Sequence, residues 1–274
     1  MDRARVKNFI ILLLLIVNII FLVLWVIDSH ESILSMSGME ENVCLMLADC
    51  GVTVSDSVEL LQDSLSSVVY YRDMNIEAER VESILGECAV EDRGGNIYFY
   101  NGTNGQARFR GTGEFELLLN SGALPVKGSY VSACADIIKK LGMTADMNMD
   151  AQYADDGSVT VIAMCRVDGV RVYNCRASFT FSASELRWVQ GMRIFDASSA
   201  ESSTDGMDSA TAISYFAQFV SNEEIEAASL SELECGYIHT VTVSGECILT
   251  PTWRFSTDTG EYYINALTGK IQTM

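Results

Sequence analysis

Residues 9–27 read FIILLLLIVNIIFLVLWVI, and seventeen of these nineteen side chains are Leu, Ile, Val or Phe. As a helix rising about 1.5 Å per residue, the run reaches roughly 28 Å, close to the hydrocarbon thickness of a bilayer. Its apolar side chains contribute roughly −5 to −10 kcal/mol on an insertion scale, well beyond the cost of the single Asn18. The sequence therefore predicts a transmembrane helix over 9–27. Arg3, Arg5 and Lys7 precede it, whereas Asp28 and Glu31 follow it and no Lys or Arg returns before Arg72. Because basic residues favour the cytoplasmic side, residues 1–8 are expected in the cytoplasm and the C-terminal region outside a single-pass cell-membrane protein. The rival is a cleaved signal peptide, whose apolar core usually spans about 7–15 residues and ends at small residues. Here Ser35 and Ser37, the best cleavage candidates, lie well beyond the run.

Residues 1–28 hold three basic and two acidic side chains, so of the net charge of −19 the remainder carries −20. Such a surface repels nucleic acid, which is excluded as a partner. Acidic and basic residues are interspersed among plentiful Val, Ile, Leu, Phe and Tyr, the composition of a folded chain.

Local patterning predicts helix followed by antiparallel strands, three times over. Val58, Leu61 and Leu65 recur at helical spacing after Ser55 and Asp56. A clearer helix opens at the cap candidate Asn75, carries Ala78, Val81, Ile84 and Leu85 on one face, and stops at Gly86. Glycine-punctuated alternation from Gly94 to Asn120 then reads as short strands. Cys134, Ile137, Ile138 and Leu141 mark the next helix, and strands follow over 147–153, 158–167 and 170–181. Asp168-Gly169 is a type I′ turn signal between the last two of these. After an exposed linker comes a helix over 212–220, then strands over 237–243, 248–255, 261–266 and 270–273. The predicted class is α+β: a single N-terminal transmembrane helix, then an exported region of repeated helix-plus-antiparallel-sheet units. The expected division is 1–8 cytoplasmic, 9–27 membrane, units at 28–126 and 127–196, a linker at 197–208, and a unit at 209–274.

The eight cysteines, all beyond the apolar run, form no C-x-x-C and no cluster of zinc spacing. With Asp168-Gly169 as a two-residue turn, simple pairing sets Cys165 opposite Val172 and Cys175 opposite Ile162, which argues against a bridge between those two cysteines. Asp146 to Asp150 resembles the start of a calcium loop, but Ala151 and Gly157 stand where such a loop needs Gly and Glu. His30 lies beside the apolar run, and His239 is expected on the polar face of its strand. H-E-x-x-H, G-x-S-x-G and P-loop motifs are absent. The chain is expected not to be an enzyme and to hold no cofactor or metal. What remains is aromatic: Trp253, Tyr262 and Tyr263, with Trp25 and the polar Asn18 in the apolar run, are candidate partner contacts, core being the default for strand aromatics.

The order of these segments resembles a known family. MDRARVKNFI leading into one apolar run, then ILG before GTGEFEL, and finally GYIHTVTVSGECILTPTWRFSTDTGEYYINALTGKI look like YycI-type regulatory proteins of the YycH/YycI family, from low-GC Gram-positive bacteria. The resemblance implies an external region related to PepSY-type modules and a membrane-anchored accessory role. The partners it implies are the membrane bilayer, the transmembrane helices of a two-component sensor histidine kinase, and a sister YycH-type accessory protein. It carries over no catalytic residue. The alternative is a PepSY-like envelope binding or peptidase-inhibitory module that the helix merely tethers.

Overall fold

The computed structural model describes residues 14, 18, 42–55, 58, 60, 64–146, 151–199 and 204–273. A helix, α1, at 42–49 is followed by two short strands, β1 (Thr53–Val54) and β2 (Val68–Tyr71). Helix α2 (Met74–Leu85) begins on Asp73, whose carboxylate accepts from the amides of Asn75 and Ile76, so the cap lies two residues before Asn75. It ends at Gly86, where φ is +80°. A meander follows, β3 (Cys88–Asp92), β4 (Ile97–Gly102), β5 (Gly105–Arg110) and β6 (Glu114–Leu119), each pairing antiparallel with the next.

Helix α3 (Tyr130–Lys140), capped by Ser129, leads into β7 (Thr144–Ala145), β8 (Ala151–Tyr153), β9 (Val159–Val167), β10 (Val170–Ser182), β11 (Glu185–Met192) and β12 (Ala197–Ser199). Helix α4 (Ser209–Ser221), capped by Asp208, precedes β13 (Ser229–Val241), β14 (Cys247–Thr257), β15 (Glu261–Asn265) and β16 (Ile271–Gln272).

Helices α2 and α3 cover one face of the sheet that runs β3-β4-β5-β6-β11-β10-β9. Alternation explains which side chains meet them: Ala107 and Phe109 of β5, Phe115 and Leu117 of β6, and Phe179 and Phe181 of β10 pack against Val81, Ile84, Leu85, Ile137 and Ile138. A second core gathers α1 and α4 against β13, β14 and β15, with Phe216 stacked on Phe255 at 4.5 Å between ring centres. Strand β10 joins the two sheets. It pairs with β11 along its C-terminal half and with β9 on both sides of a register shift, and at Val172 it pairs in parallel with Tyr237 of β13.

The expected fold class is corrected. All sixteen described strands hydrogen-bond into one sheet system, and strand outweighs helix among the described residues. Instead of repeating as separate units, the first two merge when β11 pairs antiparallel with β6, so neither presents an open edge there. The last strands complete their sheet with β1 and β2, from the other end of the chain. Among the described residues no helix is long and apolar enough to cross a membrane. The transmembrane helix expected over 9–27 lies outside the described residues apart from Leu14 and Asn18.

Three local expectations also change. Val58 and Leu65 lie in no helix, Leu61 is outside the described residues, and Val68–Tyr71 is a strand, as two β-branched and two aromatic residues favour. Part of the expected linker, Ala197–Ser199, is strand β12 and pairs with β2. The third change is register. Asp168 and Gly169 both take positive φ, the expected I′ turn, and Arg171 pairs with Arg166 as predicted. Beyond that the register slips by three, so that Arg176 faces Met164 and the four residues Val172 to Cys175 lie opposite Cys165 alone. Cys165 and Cys175 are thus neighbours, against the expectation from simple pairing.

Candidate functional site

Because α2 and α3 cover only one face of the first sheet, its other face is bare. The sequence of β5, Gly-Gln-Ala-Arg-Phe-Arg, sends Ala107 and Phe109 inward and Arg108 and Arg110 outward, and β6 sends Glu114, Glu116 and Leu118 outward. Register then builds a row across five neighbouring strand pairs, Phe99–Arg108–Glu116–Gln190–Ser178–Ile162. The row runs through a cleft of about 570 Å³ whose lining includes Arg108, Arg110, Glu114, Glu116, Arg176 and Gln190.

Glu116 organises the centre. Its Oε2 lies 2.7 Å from Arg108 Nη2, and its Oε1 accepts from Trp188 Nε1 at 3.1 Å, which fixes both partners. Arg110 pairs with Glu114 at 3.0 Å. The Arg176 side chain is exposed and has no ion pair or hydrogen bond among the described residues. Three arginines and two glutamates give this face a local excess of positive charge in a chain of net charge −19. Leu118, 42% exposed, and the half-buried Trp188 and Ile162 add apolar surface. Arginine and tryptophan within a partly apolar rim are the side chains that dominate protein recognition, so the arrangement suits docking of a carboxylate-bearing partner surface.

At one end of the cleft Asn174 ties the two sheets together. Its side chain donates to the His239 carbonyl at 2.7 Å and accepts from the His239 amide at 2.8 Å. His239, expected on a polar face, is instead buried, 4% exposed, and its Nε2 has no partner among the described residues. Burial lowers its pKa to about 4, so the imidazole is neutral at pH 7.

Beneath the helix-covered face lies a charged lock. Glu77 of α2 accepts both arms of Arg72, at 2.8 and 2.7 Å, the Tyr100 hydroxyl at 2.7 Å, and Arg193. Arg193 also reaches Asp196 at 3.1 Å, Arg80 pairs with Asp196, and the Arg193 guanidinium lies over the Phe109 ring. Burial lowers the Arg193 pKa to about 10, so it stays charged at neutral pH.

The sequence-predicted contacts do not converge on the cleft. Asn18 is helical and its side-chain amide donates to the Leu14 carbonyl at 3.0 Å; Trp25 is outside the described residues. Trp253 is wholly buried, its indole N–H on the Met207 carbonyl at 3.0 Å, so it offers no surface. Tyr263 is buried against Tyr173, and its hydroxyl donates to Glu261 at 2.6 Å. Tyr262, half-buried on the opposite face of β15, donates to the Glu226 carbonyl at 3.2 Å. Asp146, from the calcium-loop segment, is held by Arg166 at 2.9 Å and Arg171 at 3.4 Å, and residues 147–150 are outside the described residues. Among the described residues no group of three metal-binding side chains occurs. The signal for the cleft in the sequence is the parity of Arg108 and Arg110, then Glu114 and Glu116, across one turn.

No protein-family model matches the chain, and no curated protein matches it. Solved structures do. An uncharacterized protein from Eubacterium rectale is similar with a TM-score of 0.50 at 10% identity, over 82% of this chain and 91% of that one. At that identity the likeness shows a shared fold and nothing of activity. The C-terminal domain of YpeB from Bacillus megaterium matches with a TM-score of 0.34 at 10% identity, over 74% of this chain and 97% of that one.

Proposed function

We propose that this chain is an accessory protein of the YycI type that sets the output of a two-component sensor histidine kinase, and that its bare sheet face is where a partner docks. The reading places it at the cell membrane, associated through the apolar run 9–27, with the sheets outside. The single observation that carries the docking surface is the uncovered row around Glu116, with the unpaired Arg176 beside it in an otherwise acidic chain. The partner class rests on the resemblance of the C-terminal segment from Gly236 to Ile271. Physically, such a protein must bind one signalling state of the kinase better than the other, by about 1–3 kcal/mol.

The test is co-purification of full-length protein from membranes in mild detergent, together with kinase autophosphorylation. A variant carrying Arg108→Glu and Arg176→Glu is expected to lose partner recovery by about tenfold or more, since buried charge pairs at interfaces are worth about 2–5 kcal/mol. Unchanged recovery and unchanged kinase output would reject the docking surface. A soluble exterior that retained full activity without residues 1–41 would favour a tethered binding module instead.

A further inference from the structure

The slipped register at the start of β10 brings together two thiols that simple pairing keeps apart. The Cys175 Sγ donates to the Met192 carbonyl at 3.1 Å and the Cys165 Sγ to the same oxygen at 3.7 Å, so both converge on one atom. The neighbouring Cys165 thiol, together with burial, raises the Cys175 pKa. Both residues are buried free thiols in this structure. Cys165 nevertheless lines a cleft of about 200 Å³, beside Thr144, Arg166 and Asp168, and that cleft gives a small reagent a way in. Cys247, the third cysteine of this core, is directed to the Phe195 backbone.

We propose that Cys165 and Cys175 form a disulfide across the bulge by exchange with a small-molecule disulfide, fixing β10 where it passes from one sheet to the other. The Cys165 thiolate attacks one sulfur of the reagent, forming a mixed disulfide and releasing one thiol. The Cys175 thiolate then attacks Cys165 Sγ, closing the protein disulfide and releasing the second thiol. Two protein thiols are oxidised and one reagent disulfide is reduced. The parallel contact Val172–Tyr237 and the Asn174 clamp on His239 both lie within the four-residue segment that the bond would pin.

Full-length protein incubated with oxidised glutathione, then unfolded and alkylated, tests this by mass. The expected result is loss of two hydrogens and a tryptic species joining residues 141–166 to residues 172–176, both reversed by dithiothreitol. In Cys175→Ser the exchange is expected to stop at a glutathione adduct on Cys165. Alkylation of both cysteines in the treated wild-type chain, or a bond from either to Cys247, would overturn the proposal. So would an unmodified Cys165 in the variant.

Discussion

His239 shows how burial turns one side chain into a pH term. Its pKa is lowered from the ordinary 6.5 to about 4, so as pH falls the unfolded chain takes up the proton first. The contribution to stability is complete above about pH 6.5 and is lost progressively on descending to about pH 4, a difference of roughly 3 kcal/mol. Urea unfolding at pH 7 and pH 4.5 should show His239→Gln losing less stability than wild type between the two; equal losses would mean the imidazole is not held neutral. The charged lock predicts a larger effect. Glu77 is 1% exposed and Arg193 2%, and Glu77→Gln leaves two guanidiniums facing a neutral amide, at a cost of about 3–5 kcal/mol. Replacing both partners, as Glu77→Leu with Arg193→Met, should cost much less than the two single changes together, which a double-mutant cycle in urea would read. Neither residue advertises itself in sequence: Glu77 sits on a helix with Glu79 and Glu82, and only the pairing of distant segments shows that it alone points inward.

At the scale of elements, what is local was legible and what is paired at a distance was not. The apolar spacing of Val81, Ile84 and Leu85, the stop at Gly86 and the turn at Asp168-Gly169 each depend on neighbours in sequence, and the structure keeps them. Strand β2 depends on β14 and β12, both more than a hundred residues away, and the helical spacing that leads into Val68–Tyr71 does not reveal that pairing. The β10 slip arises the same way, because pairing Val172 with β13 and Arg176 with β9 requires extra residues between them. Gly191 of β11 accommodates it. A Cβ there would sit 2.3 Å from the Arg176 carbonyl oxygen and 2.7 Å from the Ala177 Cα, both backbone atoms that cannot rotate aside. Gly191→Ala is therefore expected to destabilise by about 1–3 kcal/mol, as overpacking does. It should also disturb the cleft that Gly191 and Arg176 share, seen as amide shifts in Gln190 and Arg176. A variant of native stability would show that β10 is free to retreat.

For the molecule as a whole, the path of the chain decides what folds alone. The second core takes Val43 and Leu47 from α1, Val52, and Val54 of β1, and its sheet takes β2 as the neighbour of β14; none of these is near its principal helix α4 in sequence. Phe216, Trp253 and Phe255 supply most of its aromatic volume, but without α1 their cover is incomplete, and β14 loses β2 along Cys247–Leu249. Apolar surface left open in this way forfeits about 25 cal/mol per Å². Composition and periodicity mark out a unit at 209–274, because each of its elements carries its own local signal; its pairings with residues 42–71 are ones that sequence spacing does not encode. Residues 209–274 expressed alone should therefore show no cooperative urea transition and little native near-ultraviolet circular dichroism. Joining residues 42–71 ahead of them through a flexible linker should restore a cooperative transition, with Leu47→Ala lowering it by about 2–5 kcal/mol. A cooperative fold for 209–274 by itself would instead mean that β13, β14 and α4 close a core without help, and that the N-terminal strands only decorate its edge.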